Sequence, residues 1–382
     1  MSLPRGLSSV LKKSPSDVVI LSSLRTPICR SYRGQLKDAY PEELLSVVLR
    51  ATLDANPNLD PAAVEEVAVG VVLSELGGSK AAKMALNHVG YPSTTTLYTV
   101  NRACSSSLQS IALVAAQIRT DVISVGIGAG MESMTRNYGS KAIPEIVPVA
   151  TRFQAVDKQG NKVGDEQQVT VTQDDGIRAG ASVEGLAKLK PAFQADGAST
   201  AGNSSQVSDG AAATLLMRRS TATALGLAGS ILGKFVGATT SGCAPDEMGI
   251  GPVLAIPKIL DQLGLTTEDV DRWEINEAFA SQAIYSVRAL GLEKAWQDGR
   301  VNPDGGAIAL GHPLGATGAR MASTLLHGLG RTGGDVGVVS MCVGTGMGMA
   351  GVFWSPPERA ESPALYSARI SAIDNGAAHV QH

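Results

Sequence analysis

The sequence predicts an α/β fold with a largely parallel sheet, on three observations. Short apolar runs of strand length alternate with stretches of helical period, the pattern of strand–helix–strand units. A weak internal repeat implies two similar halves with a site between them. Glycine supplies 43 of the 382 residues and aromatics only 4%, so the core should be aliphatic and closely packed.

The elements follow in order. Val18 to Ser22 reads as a buried strand, and Tyr40 to Leu53 has the three-and-four spacing of an amphipathic helix. Val67 to Leu73 is a strand-like run. Ser105 to Ile118 reads as a helix directly behind Cys104, and Val122 to Ile127 as another buried strand. In the repeat, the stretch from Leu59 to Val67 aligns without gaps to that from Leu265 to Trp273. Each copy has a leucine, then acidic residues, then a strand. Gly126 to Met131 also resembles Cys342 to Met347. Asn137 to Ala198 changes character, with Pro144, Pro148 and a polar stretch from Asp157 to Gln168, and reads as an insertion. Ala212 to Met217 returns to the sheet. Ser355 to His382 shows no apolar face and reads as a loosely ordered tail.

The expected organisation is therefore an N-terminal half over 17–136 that continues through 199–244. An inserted segment follows over 137–198, then a C-terminal half over 245–355 and a disordered tail over 356–382.

Composition excludes several function classes. The net charge of -3 gives no electrostatic case for nucleic acid or an anionic membrane. No apolar run is long enough to span a bilayer. Cys29, Cys104, Cys243 and Cys342 are far apart, with no C-x-x-C pair, so neither a zinc site nor a disulfide framework is expected. The N-terminus lacks the apolar core of a secretory signal, and the chain does not end in the Ser-Lys-Leu type of peroxisomal address.

Chemistry concentrates in glycine-framed phrases. Gly311-His312-Pro313 and Cys342-Val343-Gly344-Thr345-Gly346 set a histidine and a cysteine where a substrate can approach the main chain. Val100-Asn101-Arg102-Ala103-Cys104-Ser105-Ser106-Ser107 supplies a second cysteine. Two cysteines and one histidine so framed suggest covalent catalysis on a carbonyl. Taken singly, each has a plainer reading: a small buried thiol for Cys104 and for Cys342, a hydrogen-bonded structural histidine for His312. Cys29 and Cys243 keep that plain reading. His88 and His327 read as surface or packing residues, and Asp174-Asp175 with Lys188 and Lys190 as solvated faces.

With Gly130-Met131-Glu132-Ser133-Met134 and Asn276-Glu277-Ala278-Phe279-Ala280, these phrases resemble the thiolase family, in particular 3-ketoacyl-CoA thiolases of peroxisomal type, from about Val18 to Trp354. The resemblance implies a thiolase fold of two similar halves in five layers, α-β-α-β-α, assembled as a homodimer. It implies an acetyl-CoA C-acyltransferase that cleaves 3-oxoacyl-CoA with CoA in fatty-acid β-oxidation, in the peroxisome. CoA is then a substrate, and no metal or redox cofactor is needed. Residue by residue, it implies Cys104 as nucleophile, activated at a helix start, with His312 as its base. Cys342 is implied as the second acid and base. His312 with a water held by Asn276, and the N–H groups of Cys104 and Gly344, are implied as two oxyanion sites. The rivals are an acetoacetyl-CoA-forming thiolase and a catalytically weak isoform that pairs with a full-length subunit. A decarboxylating ketoacyl synthase fits less well, because a second cysteine stands at the last site.

The chain departs from that pattern between Pro144 and Glu145. Several dozen residues of the family's loop domain, which covers the pocket and helps hold CoA, are absent there. A deleted or alternatively spliced form is the expectation, with impaired CoA binding.

Overall fold

The computed structural model describes residues 3–135, the backbone of 139–140, and residues 147–157, 159, 161–178 and 180–356. The junction at Pro144/Glu145 and the tail from residue 357 lie outside the described residues.

Nine strands and six principal helices build the core. They are β1 (Val18–Arg25), α1 (Pro41–Asp54), β2 (Glu66–Gly70), α2 (Ser79–Val89), β3 (Thr96–Val100), α3 (Ser106–Arg119), β4 (Val125–Ser133) and β5 (Ser208–Arg218). The second half holds β6 (Gly233–Gly242), α4 (Gly251–Leu263), β7 (Arg272–Ile275), α5 (Ala280–Ala289), α6 (Thr317–Thr332), β8 (Val336–Val343) and β9 (Met347–Trp354). The strands lie side by side in the order β7-β8-β9-β6-β1-β5-β4-β2-β3. Cys29–Arg30 adds a short strand on β5.

The pairing repeats between the halves. β2 runs parallel to β4, β4 antiparallel to β5, and β5 antiparallel to β1. Likewise β7 runs parallel to β8, β8 antiparallel to β9, and β9 antiparallel to β6. The halves join where β1 meets β6 over only two residue pairs. The first sequence repeat is structural, since both copies place a 3₁₀ turn, Pro61–Ala63 or Thr267–Asp269, before the parallel strand. The second does not map onto this equivalence. Gly126 to Met131 lies inside β4, whereas Cys342 to Met347 spans the end of β8 and its turn. Glycine spacing alone produced that likeness.

Three apolar cores lie between five layers. One packs α1 and α2 on the N-terminal half-sheet, through Leu44, Val48, Leu86 and Ile127. A central core sandwiches α3 and α6 between the half-sheets, through Leu108, Ile111, Ala322 and Leu325. The third packs α4 on the C-terminal half-sheet, through Ile256, Ile259 and Trp273. The inner strands, such as β1, β4, β5, β8 and β9, are thus covered on both faces, which is why their runs read as continuously apolar rather than alternating.

The central helices meet closely. A Cβ on Gly318 of α6 would lie 2.5 Å from the Leu108 backbone nitrogen of α3. A Cβ on Gly130 of β4 would lie 2.2 Å from the Gly315 carbonyl oxygen. Gly130→Ala is therefore expected to lower stability by about 3 kcal/mol through overpacking; the thermal midpoint of the variant checks this.

The segment after β4 contains a two-strand hairpin, Val149–Phe153 with Val171 back to Gln167, and the short helix Val183–Ala187. It is tied to the core by charge. Asp174 accepts both Arg25 nitrogens at 2.6 and 2.8 Å and the Ile28 N–H at 2.8 Å. Asp174 and Asp175 are both buried, which corrects the solvated-face reading. An acidic pair in a polar stretch carries no local sign that an arginine on a distant strand will receive it. Burial pushes the Asp175 carboxyl up to about 8 even with Arg30 beside it. Lys188 and Lys190 are solvated as expected.

Candidate active site

Cys104 sits in the tight turn between β3 and α3. Ala103 takes φ 42°, the left-handed region, so the chain reverses sharply there. Ser106 Oγ donates to the Ala103 carbonyl and accepts the Arg102 N–H, at 2.6 and 2.9 Å. Asn101 Oδ1 accepts the Ala103 N–H at 3.0 Å. These small polar residues hold the turn.

The thiol differs from its expected state. Burial holds Cys104 above the usual thiol range, against the pull of two backbone N–H donors, those of Gly344 and of Cys104 itself. The pull of the helix start on this thiol is therefore opposed by desolvation. The structure does bring the Gly344 N–H to the Cys104 sulfur. Gly344 is not required by crowding: a Cβ there would touch Ala103 Cβ at an ordinary 3.7 Å. Its lack of a side chain leaves open the space in front of the sulfur.

Cys342 is fully buried near the end of β8. Burial, the nearby Cys104 and, more weakly, Cys243 push its thiol up to about 12. The two catalytic candidates are thus electrostatic neighbours. Cys342 also lies on the wall of a cleft of about 480 Å³, with Glu247, Met248, Ile250 and Phe279.

His312 lies in the loop before α6 and is 5% exposed. Thr317 Oγ1 donates to the Pro313 carbonyl at 2.9 Å, so it accepts from His312 Nδ1 at 2.7 Å. That places the proton on Nδ1 and leaves Nε2 with its lone pair. Asn276 Nδ2 donates to Nε2 at 3.2 Å. Burial, with the charge of Arg320, lowers the imidazole to about 3, so it is neutral. Asn276 follows β7 and is buried, its N–H bonded to the Ser340 carbonyl at 2.9 Å.

The five residues come from two contacting groups. Cys104, Gly344 and Cys342 form one, His312 and Asn276 the other. The loops that carry Cys104 and His312 precede α3 and α6, and Ala319 N–H donates to Ser107 Oγ at 2.9 Å between those helix starts.

Sequence reasoning missed the residues that hold these loops. Buried Glu132 accepts Val72 N–H and Gly315 N–H on one oxygen, at 3.1 and 3.0 Å, and Leu73 N–H on the other, at 3.2 Å. Glu277 accepts from Asn302 Nδ2 and from Ile308 N–H, at 2.8 and 3.2 Å. Gln206 Nε2 donates to the Ile308 and Ala309 carbonyls, at 2.8 and 3.0 Å, and Gln206 O accepts His312 N–H at 2.9 Å. An acid inside an apolar strand, as Glu132 is, was the available signal. Gln206 offered none.

Residues 18–144 and again 141–220 match the family "Thiolase, N-terminal domain", and residues 230–355 match "Thiolase, C-terminal domain". The chain is 46% identical over 399 positions to 3-ketoacyl-CoA thiolase B, peroxisomal, of Mus musculus, covering 91% of this chain and 92% of that one. The dimeric peroxisomal thiolase of Saccharomyces cerevisiae superposes with a TM-score of 0.78 at 35% identity, over 91% of this chain and all of that one. Human mitochondrial 3-ketoacyl-CoA thiolase in complex with CoA gives 0.78 at 29% identity, over 89% and 98%. In the mouse comparison, 91% of 382 residues is about 348, so about 51 of the 399 positions have no counterpart here. The N-terminal family match breaks and restarts at 141–144, where the sequence departs from the pattern.

Proposed function

The chain belongs to the thiolase family, and on that premise we propose that it cleaves 3-oxoacyl-CoA with CoA to acetyl-CoA and a shortened acyl-CoA, in peroxisomal fatty-acid β-oxidation and as a homodimer. The observation that supports the site assignment is the buried, neutral His312, whose Nδ1 is bonded to Thr317 and whose proton-poor Nε2 faces Asn276. No helix among the described residues is long and apolar enough to cross a membrane.

Burial favours neutral thiol and neutral imidazole over their ion pair, so the Cys104 proton passes to His312 as the sulfur attacks the C3 carbonyl. The resulting oxyanion is received by hydrogen-bond donors already in place. The C2–C3 bond then breaks, and its electron pair stays on the acetyl-CoA carbon. Cys342 gives that carbon its proton, leaving a Cys342 thiolate and an acyl thioester on Cys104. The thiolate takes the proton of incoming CoA, whose sulfur displaces Cys104, and His312 returns its proton to the departing Cys104 sulfur. The donors for the two oxyanions are Gly344 and Cys104 N–H on one side, and His312 with Asn276 on the other. CoA serves as substrate, and the scheme requires no metal or redox cofactor.

The test is CoA-dependent formation of acetyl-CoA from a 3-oxoacyl-CoA by the purified protein. A folded dimer that forms none would sink this reading. The absence of about 51 aligned positions favours one second reading, a weak isoform that acts by pairing with a full-length subunit. Mixed dimers with negligible turnover of this chain alone would support it.

Two further outcomes are expected. Asn276→Ala should lower kcat by about 10²-fold with little change in KM, because it removes a donor needed mainly in the transition state; steady-state kinetics checks it. His312 has its pKa lowered to about 3, so it stays neutral as pH rises above that value and protonates only below it. The kcat/KM profile of the free enzyme should then show no acid limb near the ordinary imidazole pKa of about 6.5.

A further inference from the structure

A cavity of about 300 Å³ lies on the seam between the two halves. Asp17 and Arg119 wall it from the N-terminal half, Lys234 and Val236 from β6, and Leu3 and Lys12 from the segment before β1. Here β1 meets β6 over only two residue pairs, and Lys234 belongs to one of them. The cavity is remote from the candidate active site. Cys104 stands just before α3 and Arg119 is the last residue of that helix, so its 14 residues, at about 1.5 Å each, put about 20 Å between them.

Positive charge exceeds negative along its walls. Lys12, Arg119 and Lys234 line it, against one carboxylate, Asp17. That carboxylate is already shared: Lys234 Nζ lies 3.3 Å from Oδ1, and Arg219 Nη2 lies 3.0 Å from Oδ2. Lys234 is 3% exposed, and it also donates to the Lys12 carbonyl at 2.8 Å. Arg119 Nη2 donates to the Phe235 and Val236 carbonyls at 2.8 Å each, and its other nitrogens make no hydrogen bond among the described residues. The rings of Phe235 and Trp354 lie 5.4 and 5.0 Å from Arg119 and Lys234, which attracts these cations but brings no counter-charge. Burial lowers the pKa of both Arg119 and Lys234, and for Lys234 the charges of Arg219 and Arg119 add to this, against Asp17. Buried positive charge in excess of its counter-ions is costly, and a bound anion offsets that cost. We propose that this cavity binds a phosphoryl group, as inorganic phosphate or as a small phosphate monoester. A guanidinium fork beside two ammonium groups suits phosphate oxygens. The volume stands at the small end of the usual range for ligand sites, so the rest of the ligand is small.

No step of the proposed reaction passes through this cavity, so the binding site stands or falls apart from the proposed function. The experiment titrates the whole protein with sodium phosphate near neutral pH and, in a second series, with ethyl phosphate. Sodium chloride holds the ionic strength constant, and the heat of binding and the thermal midpoint are both read. Saturable binding with a raised midpoint is expected, and the tighter of the two probes identifies the free ion or the ester as the source. Arg119→Gln keeps a donor for the β6 carbonyls and Lys12→Met changes an exposed side chain, so both variants should fold; their midpoints without ligand check this. Each should bind about tenfold more weakly, the effect of losing one charge-assisted contact. A loss in either variant locates the ligand in this cavity, even where the other variant fails to fold. No saturable binding of either probe, a midpoint that follows ionic strength alone, or parental affinity in both variants would overturn the proposal.

Discussion

Cys104→Ala should abolish thiolysis, with kcat falling by about 10⁴-fold or more, as expected when a covalent nucleophile is removed. Truncation at this position removes only a sulfur. The turn around it is held by Asn101 and Ser106 rather than by the thiol, so the variant should remain folded. Its midpoint of thermal unfolding should stay within a few degrees of the parent, a small shift for a substitution that removes only the weak sulfur acceptor of the Gly344 and Cys104 N–H groups. Mass spectrometry after mixing with a 3-oxoacyl-CoA should show an acyl adduct on the parent and none on the variant. An adduct that persists on the variant would move the nucleophile elsewhere, with Cys342 the first alternative. A folded variant with parental turnover would remove Cys104 from the chemistry altogether.

The fold was legible where burial writes itself into composition. Strands covered on both faces read as unbroken apolar runs, so β1, β2, β4 and β5 were found close to their observed positions. The repeat from Leu59 to Val67 was recoverable because both copies must turn before a parallel strand. Gly126 to Met131 misled because glycines serve different ends in the two places: close packing within β4, and a reversal after β8. Site residues in glycine-framed phrases stood out because a backbone that must approach a ligand closely constrains its neighbours too. Buried charge was not legible in the same way. Asp174 looks solvated until Arg25, 149 residues earlier, is folded against it. Gln206 looks like a loop amide until the His312 loop closes over it. Such residues owe their roles to partners distant in the chain, and no local pattern marks them. The Cys104 thiol illustrates a further limit: its place before a helix was readable, but the burial that overrides the helix was not.

Cys342→Ala separates the two halves of the proposed reaction, and the expected effect is nearly as large. Cleavage of the C2–C3 bond leaves a carbanion that needs a proton from a buried donor. Loss of that donor should lower thiolysis by about 10³-fold, within the range for a positioned general acid. The parent thiol suits the task because burial and the neighbouring Cys104 hold it neutral, up to about 12, so it is protonated throughout the working pH range. After donation, the same shift makes its thiolate a strong base toward the CoA thiol, whose ordinary pKa is near that of free cysteine, about 8.5. Acyl transfer between an acyl-CoA and labelled CoA through Cys104 forms no carbanion, and CoA can ionise in water without help. Exchange should therefore fall much less than cleavage in the variant. Exchange of the acetyl-CoA methyl protons with deuterated water, which does form the carbanion, should disappear with cleavage. If acyl exchange and cleavage fell together while methyl exchange persisted, Cys342 would be shaping the pocket rather than moving the proton. His312 or a bound water would then be the group to test next as the acid.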